Sequence, residues 1–213
     1  MKMQDAMTFW DAAAEKYARS PIQDMDAYEY TLGRIRSYLK QDDQVLEIGC
    51  GTGSTALLLS ANAGRITASD ISSAMIAIGK QKAAEQEISN VDFIAANMFD
   101  QDNLGGTYDA VLALNLIHLI EDTSAAFQRA YDLLKPGGFF ISKTVCKPGR
   151  GSPLKFRLML PLLPLMQWFG KAPFVKFMTP QELEDEMMAA GFKIIESGNH
   201  PAPSRFIVAR KPD

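Results

Sequence analysis

Val45-Leu46-Glu47-Ile48-Gly49-Cys50-Gly51-Thr52-Gly53 is the stretch on which the reading of the whole chain turns. Its first four residues are a short, largely apolar run, the pattern of a strand buried on both faces. Three glycines follow within five positions, and Thr52 to Ser60 then reads as a helix. A glycine-rich turn between a strand and its helix lets backbone approach a ligand closely, with the helix N–H groups directed at its anionic part.

Working outward, the same alternation repeats. Arg65 to Ser69 reads as a second strand closed by Asp70, and Ser72 begins a helix that runs to about Glu87. Val91 to Ala95 and Tyr108 to Leu114 are further strands. Thr123 to Leu134 is helical and stops at Lys135-Pro136-Gly137-Gly138, before a fifth strand from Phe139 to Val145. Strands alternating with helices of this length imply right-handed crossovers and a mostly parallel sheet covered on both faces. Ahead of it, residues 5–40 carry apolar residues at helical spacing, broken at Ser20-Pro21 because the residue before proline is pushed out of the helical region. Behind it, Thr179-Pro180-Gln181-Glu182 signs a helix start with a capping box and a first-turn proline, and Gly191 closes that helix. Phe192 to Glu196 and Phe206 to Arg210 are two last strands whose short connection requires antiparallel pairing.

The chain has 213 residues, which leaves room for one α/β domain and little for a second substrate domain. Lys+Arg 22 against Asp+Glu 25 leaves a net charge of −3. A mildly acidic chain has no global field for phosphate backbones, which argues against nucleic acid as the main partner. Two cysteines and two histidines exclude a disulfide framework and make an imidazole metal centre a poor reading, so no metal is expected. The N-terminus lacks the apolar core of a signal peptide, and the apolar stretch from Leu158 to Phe169 is too short to span a bilayer and contains Pro161 and Pro164. A soluble, cytoplasmic protein, monomer or homodimer, is expected.

Taken alone, the glycine turn is ambiguous. Gly51-Thr-Gly53-Ser-Thr-Ala56 also satisfies G-x-G-x-x-A, and Asp70 stands about where a dinucleotide-binding fold places its ribose-binding acid. The residues beyond it narrow the choice. Val45 to Gly53 resembles motif I of class I S-adenosylmethionine-dependent methyltransferases. Ala68-Ser69-Asp70-Ile71-Ser72 with Met75, Ala96-Asn97-Met98, Tyr108 to His118, and Leu133-Leu-Lys-Pro-Gly-Gly138 resemble its later landmarks in the same order. Phe9-Trp10-Asp11 with Tyr17 is similar to the opening helix of its small-molecule branch, of the methyltransferase type 11 and type 12 kind.

That resemblance implies a Rossmann-like, doubly wound, mostly parallel seven-stranded sheet with its last strand antiparallel, N-terminal helices, and a lid insertion after strand five. It divides the chain into a helical cap (1–42), a cofactor-binding sheet (43–146 and 179–213) and an acceptor insertion (147–178). It implies S-adenosyl-L-methionine as cofactor and S-adenosyl-L-homocysteine as product. Glu47 would sit beside the methionine ammonium, and Gly49, Cys50, Gly51 and Gly53 would form the backbone cradle. Asp70 would take the ribose hydroxyls, Ile71 and Met75 would lie on the adenine, and Asn97 and Met98 would meet its edge. Asn115 would underlie the methionine part, with Tyr17 closing over it. Asn97 departs from the commoner aspartate, but its oxygen still accepts a hydrogen bond.

Simpler roles compete for several of these residues: Asp70 as a helix cap, Asn97 as a turn residue, Tyr17 and Trp10 as helix packing. His118 is the weak catalytic candidate, since imidazole titrates near neutrality, yet it sits among Leu116, Ile117, Leu119 and Ile120. The insertion is rich in proline and aromatics. The expectation is that 154–178 forms short helices lining the acceptor pocket, with Trp168 and Phe169 beside Trp10 and His118. A dimer contact or a membrane-surface element are the competing readings of that segment. The function expected is in-line methyl transfer to a small, partly apolar acceptor. An NAD-linked oxidoreductase and a non-catalytic S-adenosylmethionine-binding regulator are the alternatives.

Overall fold

The computed structural model describes residues 3–149 and 160–213. Five strands run parallel: β1 (Gln44–Ile48), β2 (Arg65–Asp70), β3 (Val91–Ala95), β4 (Tyr108–Leu114) and β5 (Leu134–Val145). Two more close the chain, β6 (Lys193–Asn199) and β7 (Ser204–Arg210). The sheet order is β3-β2-β1-β4-β5-β7-β6, with β7 antiparallel to both its neighbours. The order of strand addition reverses across the β1/β4 pair, because β2 and β3 lie on one side of β1 and β4 and β5 on the other. Ligands of open α/β sheets bind in the crevice at the strand C-termini beside such a reversal.

Alternation along each strand divides the core. Leu46 and Ile48 join Val111, Phe127, Phe140 and Leu183 on one face, against α5 (Thr123–Asp132) and α7 (Pro180–Ala189). Val45 joins Ile35, Leu59, Ile76 and Val208 on the other, against α2 (Met25–Arg36), α3 (Ser54–Leu59) and α4 (Ser73–Glu85). The capping box at Thr179 forms: its hydroxyl accepts from the Glu182 N–H at 3.1 Å, and the Glu182 carboxylate accepts from the Thr179 N–H at 2.7 Å. The first helix, α1 (Met3–Arg19), ends beside Ser20-Pro21 as its sequence requires.

Of the boundaries that depart from the sequence reading, two are the most informative. Helix α3 starts at Ser54 rather than Thr52 because Gly53 has φ +71°, a left-handed conformation that no helix interior contains. Strand β5 begins at Leu134, running back through Lys135-Pro136-Gly137-Gly138, with the register shifted between Tyr108 and Ala110 on its partner. Of the 147–178 insertion, the described part is a 3-10 turn at Leu160–Leu162, helix α6 (Leu163–Trp168) and the extended residues after it. The expectation for 154–159 falls outside the described residues. Among the described residues, no helix is long and apolar enough to cross a membrane, and no group of His, Cys, Asp or Glu could hold a metal ion.

Candidate cofactor and acceptor site

A cavity of about 380 Å³ opens at the C-terminal ends of the parallel strands, at the reversal between β1 and β4. This is near the small end of ordinary ligand pockets. From the β1/β2/β3 side it is lined by Gly49, Gly51, Asp70, Ile71, Asn97 and Met98. From beyond β4 come Asn115, Leu116, Leu119 and Ile120, while Trp10 and Tyr17 of α1 and Met75 of α4 complete the wall. Carboxylate and amide groups therefore stand on both sides: Asp70 and Asn97 on one, and Asn115, Glu121 and Asp122 on the other, where Leu116, Leu119, Ile120 and Phe174 add apolar surface.

Asp70 organises the polar side. One carboxylate oxygen accepts from the Gly51 N–H and the other from the Ser72 N–H, both at 2.9 Å. Glycine loop and α4 start are thus tied to one side chain, and each oxygen keeps a further lone pair for a ligand. Burial raises the Asp70 pKa, opposed by those two N–H groups. Ser72 caps α4 by accepting from the Met75 N–H. Its hydroxyl donates in turn to Asp11 of α1 at 2.6 Å, and Asp11 also accepts from the Ala74 N–H at 3.1 Å. The hydrogen bonds from Ser72 and Ala74 hold the Asp11 carboxyl below its ordinary pKa. Asp11 is visible in the sequence only as part of Phe9-Trp10-Asp11, with no role of its own, since its partner stands 61 positions away. A carboxylate docked on the first turn of a helix is favoured by the exposed N–H groups there.

Glu47 lies behind the loop rather than on the cavity wall. It is only 3% exposed, and its Oε2 has no hydrogen-bond partner. Burial pushes its pKa up to about 8, a hydrogen bond from the Ala56 backbone opposes the shift, and the Asp70 charge adds to it. An orphaned, buried carboxylate oxygen of this kind is costly. A cationic donor reaching it would satisfy that oxygen.

The three glycines divide the work. All have positive φ. A Cβ at Gly51 would lie 3.5 Å from the Tyr17 ring, on the cavity side. A Cβ at Gly53 would lie 2.2 Å from Cε1 of Phe93, inside the α3–sheet packing. Gly53 and Cys50 are not part of the wall. The Cys50 thiol is held far above its ordinary pKa, first by burial and then by Glu47 and Asp70, so it is no nucleophile. Tyr17 is half-exposed above Gly51, its phenol pKa raised by burial and by the charges of Glu47 and Asp70. Asn97 combines two readings, since it lines the cavity while its Oδ1 accepts from the Phe99 N–H in a turn. The Met98 carbonyl accepts from Arg129 at 3.1 Å. Asn115 has φ +58° and donates its N–H to the Lys143 carbonyl at 2.7 Å.

The acceptor-side residues are redistributed. Trp10 lines the cavity, but His118 does not. Burial lowers the His118 pKa to about 4, leaving a neutral ring whose Nδ1 has no partner, and its carbonyl accepts from the Lys176 N–H. Trp168 and Phe169 are 79% and 61% exposed and point away from the cavity; the insertion contributes Pro173 and Phe174 instead. The reason is local: Gln167 donates to the Pro173 carbonyl at 2.8 Å. With the Lys176 N–H on the His118 carbonyl, that bond holds the residues after α6 against the turn that follows β4, while the end of α6 stays outside. Phe174 belongs to the proline–aromatic stretch already conspicuous in the sequence, which carries no signal of direction.

Similarity to known proteins agrees with this geometry. The family described as "Methyltransferase domain" matches residues 45–138. A ubiquinone biosynthesis O-methyltransferase of Azorhizobium caulinodans is 28% identical over 155 residues, which is 72% of this chain and 60% of that protein. The enzyme of the same name from Acinetobacter baumannii (strain ACICU) is 25% identical over 178 residues, 80% of this chain and 73% of that one. In three dimensions, the magnesium protoporphyrin IX methyltransferase of Synechocystis PCC 6803 with bound SAH superposes with a TM-score of 0.76 at 19% identity, covering 98% of this chain and 99% of that one. The [4+2]-cyclase SpnF shares the fold as well, with a TM-score of 0.71 at 18% identity over 91% of this chain and 83% of that one. At that identity a shared fold does not fix a reaction. The nicotinamide reading of the glycine turn finds no support among these relatives, whereas the family match spans the glycine loop, Asp70 and Asn97 together. Residues 45–138 match a methyltransferase domain, and the curated relatives together with the shared fold support a class I S-adenosylmethionine-dependent methyltransferase with S-adenosylmethionine as its cofactor.

Proposed function

We propose that this chain transfers the methyl group of S-adenosylmethionine to a small, partly apolar acceptor held between α1, the residues following β4, and Phe174. The observation that carries the reading is a cavity that joins Asp70 and Asn97 at the β2 and β3 ends to a wall beyond β4, where Leu116, Leu119, Ile120 and Phe174 supply apolar surface beside Asn115, Glu121 and Asp122. When bound, the cofactor supplies an electrophilic methyl group on a sulfonium. Glu47 and Asp70 would hold its amino-acid and sugar portions, Ile71 and Met75 its base, and Gly49 and Gly51 would admit it close to the backbone. The residues beyond β4 then have a positioning task. They exclude water and hold the acceptor in line, where orientation alone accounts for a large part of a displacement barrier. His118, off the wall and neutral, is not needed as a base, which suits an acceptor that loses its proton to solvent. The two ubiquinone biosynthesis O-methyltransferases named above favour a ring-bearing oxygen acceptor. Residues 147–178 are read as the insertion that selects it, acting through Pro173 and Phe174.

The test is methyl transfer from isotopically labelled S-adenosylmethionine to a panel of phenols, catechols, amines and thiols of graded apolarity. Turnover should favour apolar phenolic members, and Phe174→Ala should raise KM for them while cofactor affinity holds. Tight cofactor binding without transfer to any member would replace this reading with a regulatory, non-catalytic one.

A further inference from the structure

The end of α6 is unlike any other surface of the molecule. Leu162, Leu165, Trp168 and Phe169 are 54%, 53%, 79% and 61% exposed. Spaced by three and four, Leu162, Leu165 and Phe169 fall on one helical face, with Trp168 beside them. The Trp168 and Phe169 rings pack on each other, 4.8 Å between centroids, with their remaining faces open to solvent. The patch is also held in place. Gln167 bonds the Pro173 carbonyl, the Lys171 N–H donates to the Met166 carbonyl, and Ala172 is buried behind it.

Charge around this patch is segregated along the chain. Between Leu133 and Gln181 there are eight Lys and Arg residues and no Asp or Glu. The other parts of the chain hold 14 Lys and Arg, the rest of the 22, against all 25 Asp and Glu. Lys135, Lys147 and Lys176 of the basic run face Asp109, Glu182 and Glu186. Lys171, directly after the patch, is exposed and makes no ion pair among the described residues. Arg150, Lys155 and Arg157 precede the patch in sequence. Aromatic and leucine side chains beside Lys171, in a stretch of sequence rich in cations, match the chemistry of an anionic lipid headgroup layer, apolar groups entering the acyl boundary and cations staying among phosphates. Four or five residues after Phe169 the same segment supplies Pro173 and Phe174 to the cavity wall.

We propose that the α6 surface, Leu162, Leu165, Trp168 and Phe169 with Lys171, docks this protein onto an anionic bilayer surface, setting the acceptor side of the cavity near the lipid. An apolar acceptor dissolved in the bilayer would then reach the site without crossing water. The docking itself does not depend on which acceptor is used. Each basic residue near such a surface strengthens partitioning roughly fivefold, screened by salt.

Co-sedimentation with vesicles tests this directly, comparing phosphatidylcholine alone with phosphatidylcholine containing phosphatidylglycerol. The protein should pellet with the anionic vesicles, release as salt is raised, and not pellet with phosphatidylcholine alone. W168S/F169S should weaken binding at least about tenfold, and K171E should weaken it with a shallower salt dependence. Calorimetric S-adenosylmethionine affinity, unchanged in both variants, shows that they fold. In a W10F background, the Trp168 emission should shift to the blue on adding anionic vesicles. Equal binding to neutral vesicles, binding that survives W168S/F169S, or an unshifted Trp168 emission would each overturn the proposal. So would a concentration-dependent dimer abolished by W168S/F169S in a protein that ignores vesicles, since the patch would then be covered by a second copy.

Discussion

Gly51→Ala and Gly53→Ala are the same chemical change two residues apart, and the structure separates their consequences. At both positions φ is left-handed, +55° and +71°, so alanine pays about 1–2 kcal/mol of backbone strain in either case. The surroundings differ. At Gly51 the added methyl would stand 3.5 Å from the Tyr17 ring, an ordinary contact. At Gly53 it would fall 2.2 and 2.5 Å from Cε1 and Cζ of Phe93, and a Cβ on Gly79 would come within 2.5 Å of the same ring. Phe93 is therefore gripped from two helices and cannot swing aside, so overpacking adds about 1–3 kcal/mol. Gly53→Ala should cost about 2–5 kcal/mol in total, read as a lower urea midpoint at unchanged slope. Gly51→Ala should cost only the strain but should weaken S-adenosylmethionine, because its methyl enters the cavity wall. A double-mutant cycle sharpens the comparison: in a Phe93→Leu background the Gly53→Ala penalty should shrink toward the strain alone. If Gly53→Ala is no more destabilising than Gly51→Ala, or if Phe93→Leu leaves the penalty intact, the division between packing glycine and site glycine is wrong.

Glu47 should make the free protein less stable as pH rises. Its folded pKa of about 8 lies above the ordinary 4.5, so the folded state holds the proton more tightly. That stability is full below about pH 4.5 and lost through about pH 8, up to about 5 kcal/mol; Glu47→Gln should flatten the slope, and a pH-independent wild type would contradict it. Binding a cationic amino group there should expel the Glu47 proton near pH 7. Calorimetry in buffers of differing ionisation enthalpy would detect close to one proton released, absent in Glu47→Gln. Asp70→Asn turns an amide NH₂ toward either the Gly51 or the Ser72 N–H, so cofactor affinity should drop by about 1–3 kcal/mol; unchanged affinity would remove Asp70 from the site. Asp11→Ala frees α1 from the α4 terminus. It should cost about 1–2 kcal/mol of stability and weaken cofactor binding, since Trp10 and Tyr17 lose their anchor. Hydrogen exchange that stays slow in α1 would refute that coupling.

What the sequence disclosed and what it withheld differ in range along the chain. Strands buried on both faces must be nearly continuous apolar runs, and Val45–Ile48 and the centre of Tyr108–Leu114 satisfy this so locally that the strands' limits could be read within a residue. The capping box at Thr179 spans four positions and was equally legible. The site is built from pairings that local pattern does not encode. Gly49, Gly51 and Gly53 are one letter repeated, and only Phe93, some 40 positions on, makes the third a packing residue. Asp11 reads as a surface acid on an amphipathic helix until Ser72, on a different element, receives it. Direction is the other missing quantity. Trp168 and Phe174 belong to one proline-interrupted, aromatic stretch, and a helix of 6 residues is too short for its periodicity to tell an inward face from an outward one. Phe174 reaches the cavity and Trp168 the exterior in a segment held by Gln167 on the Pro173 carbonyl and by the Lys176 N–H on the His118 carbonyl, neither of which the local pattern encodes. The recognition half of such an enzyme is for this reason harder to read than its cofactor half. Cofactor contacts are made by backbone at strand ends, whose positions the sheet fixes, whereas acceptor contacts hang on loops whose course is decided by one or two bonds.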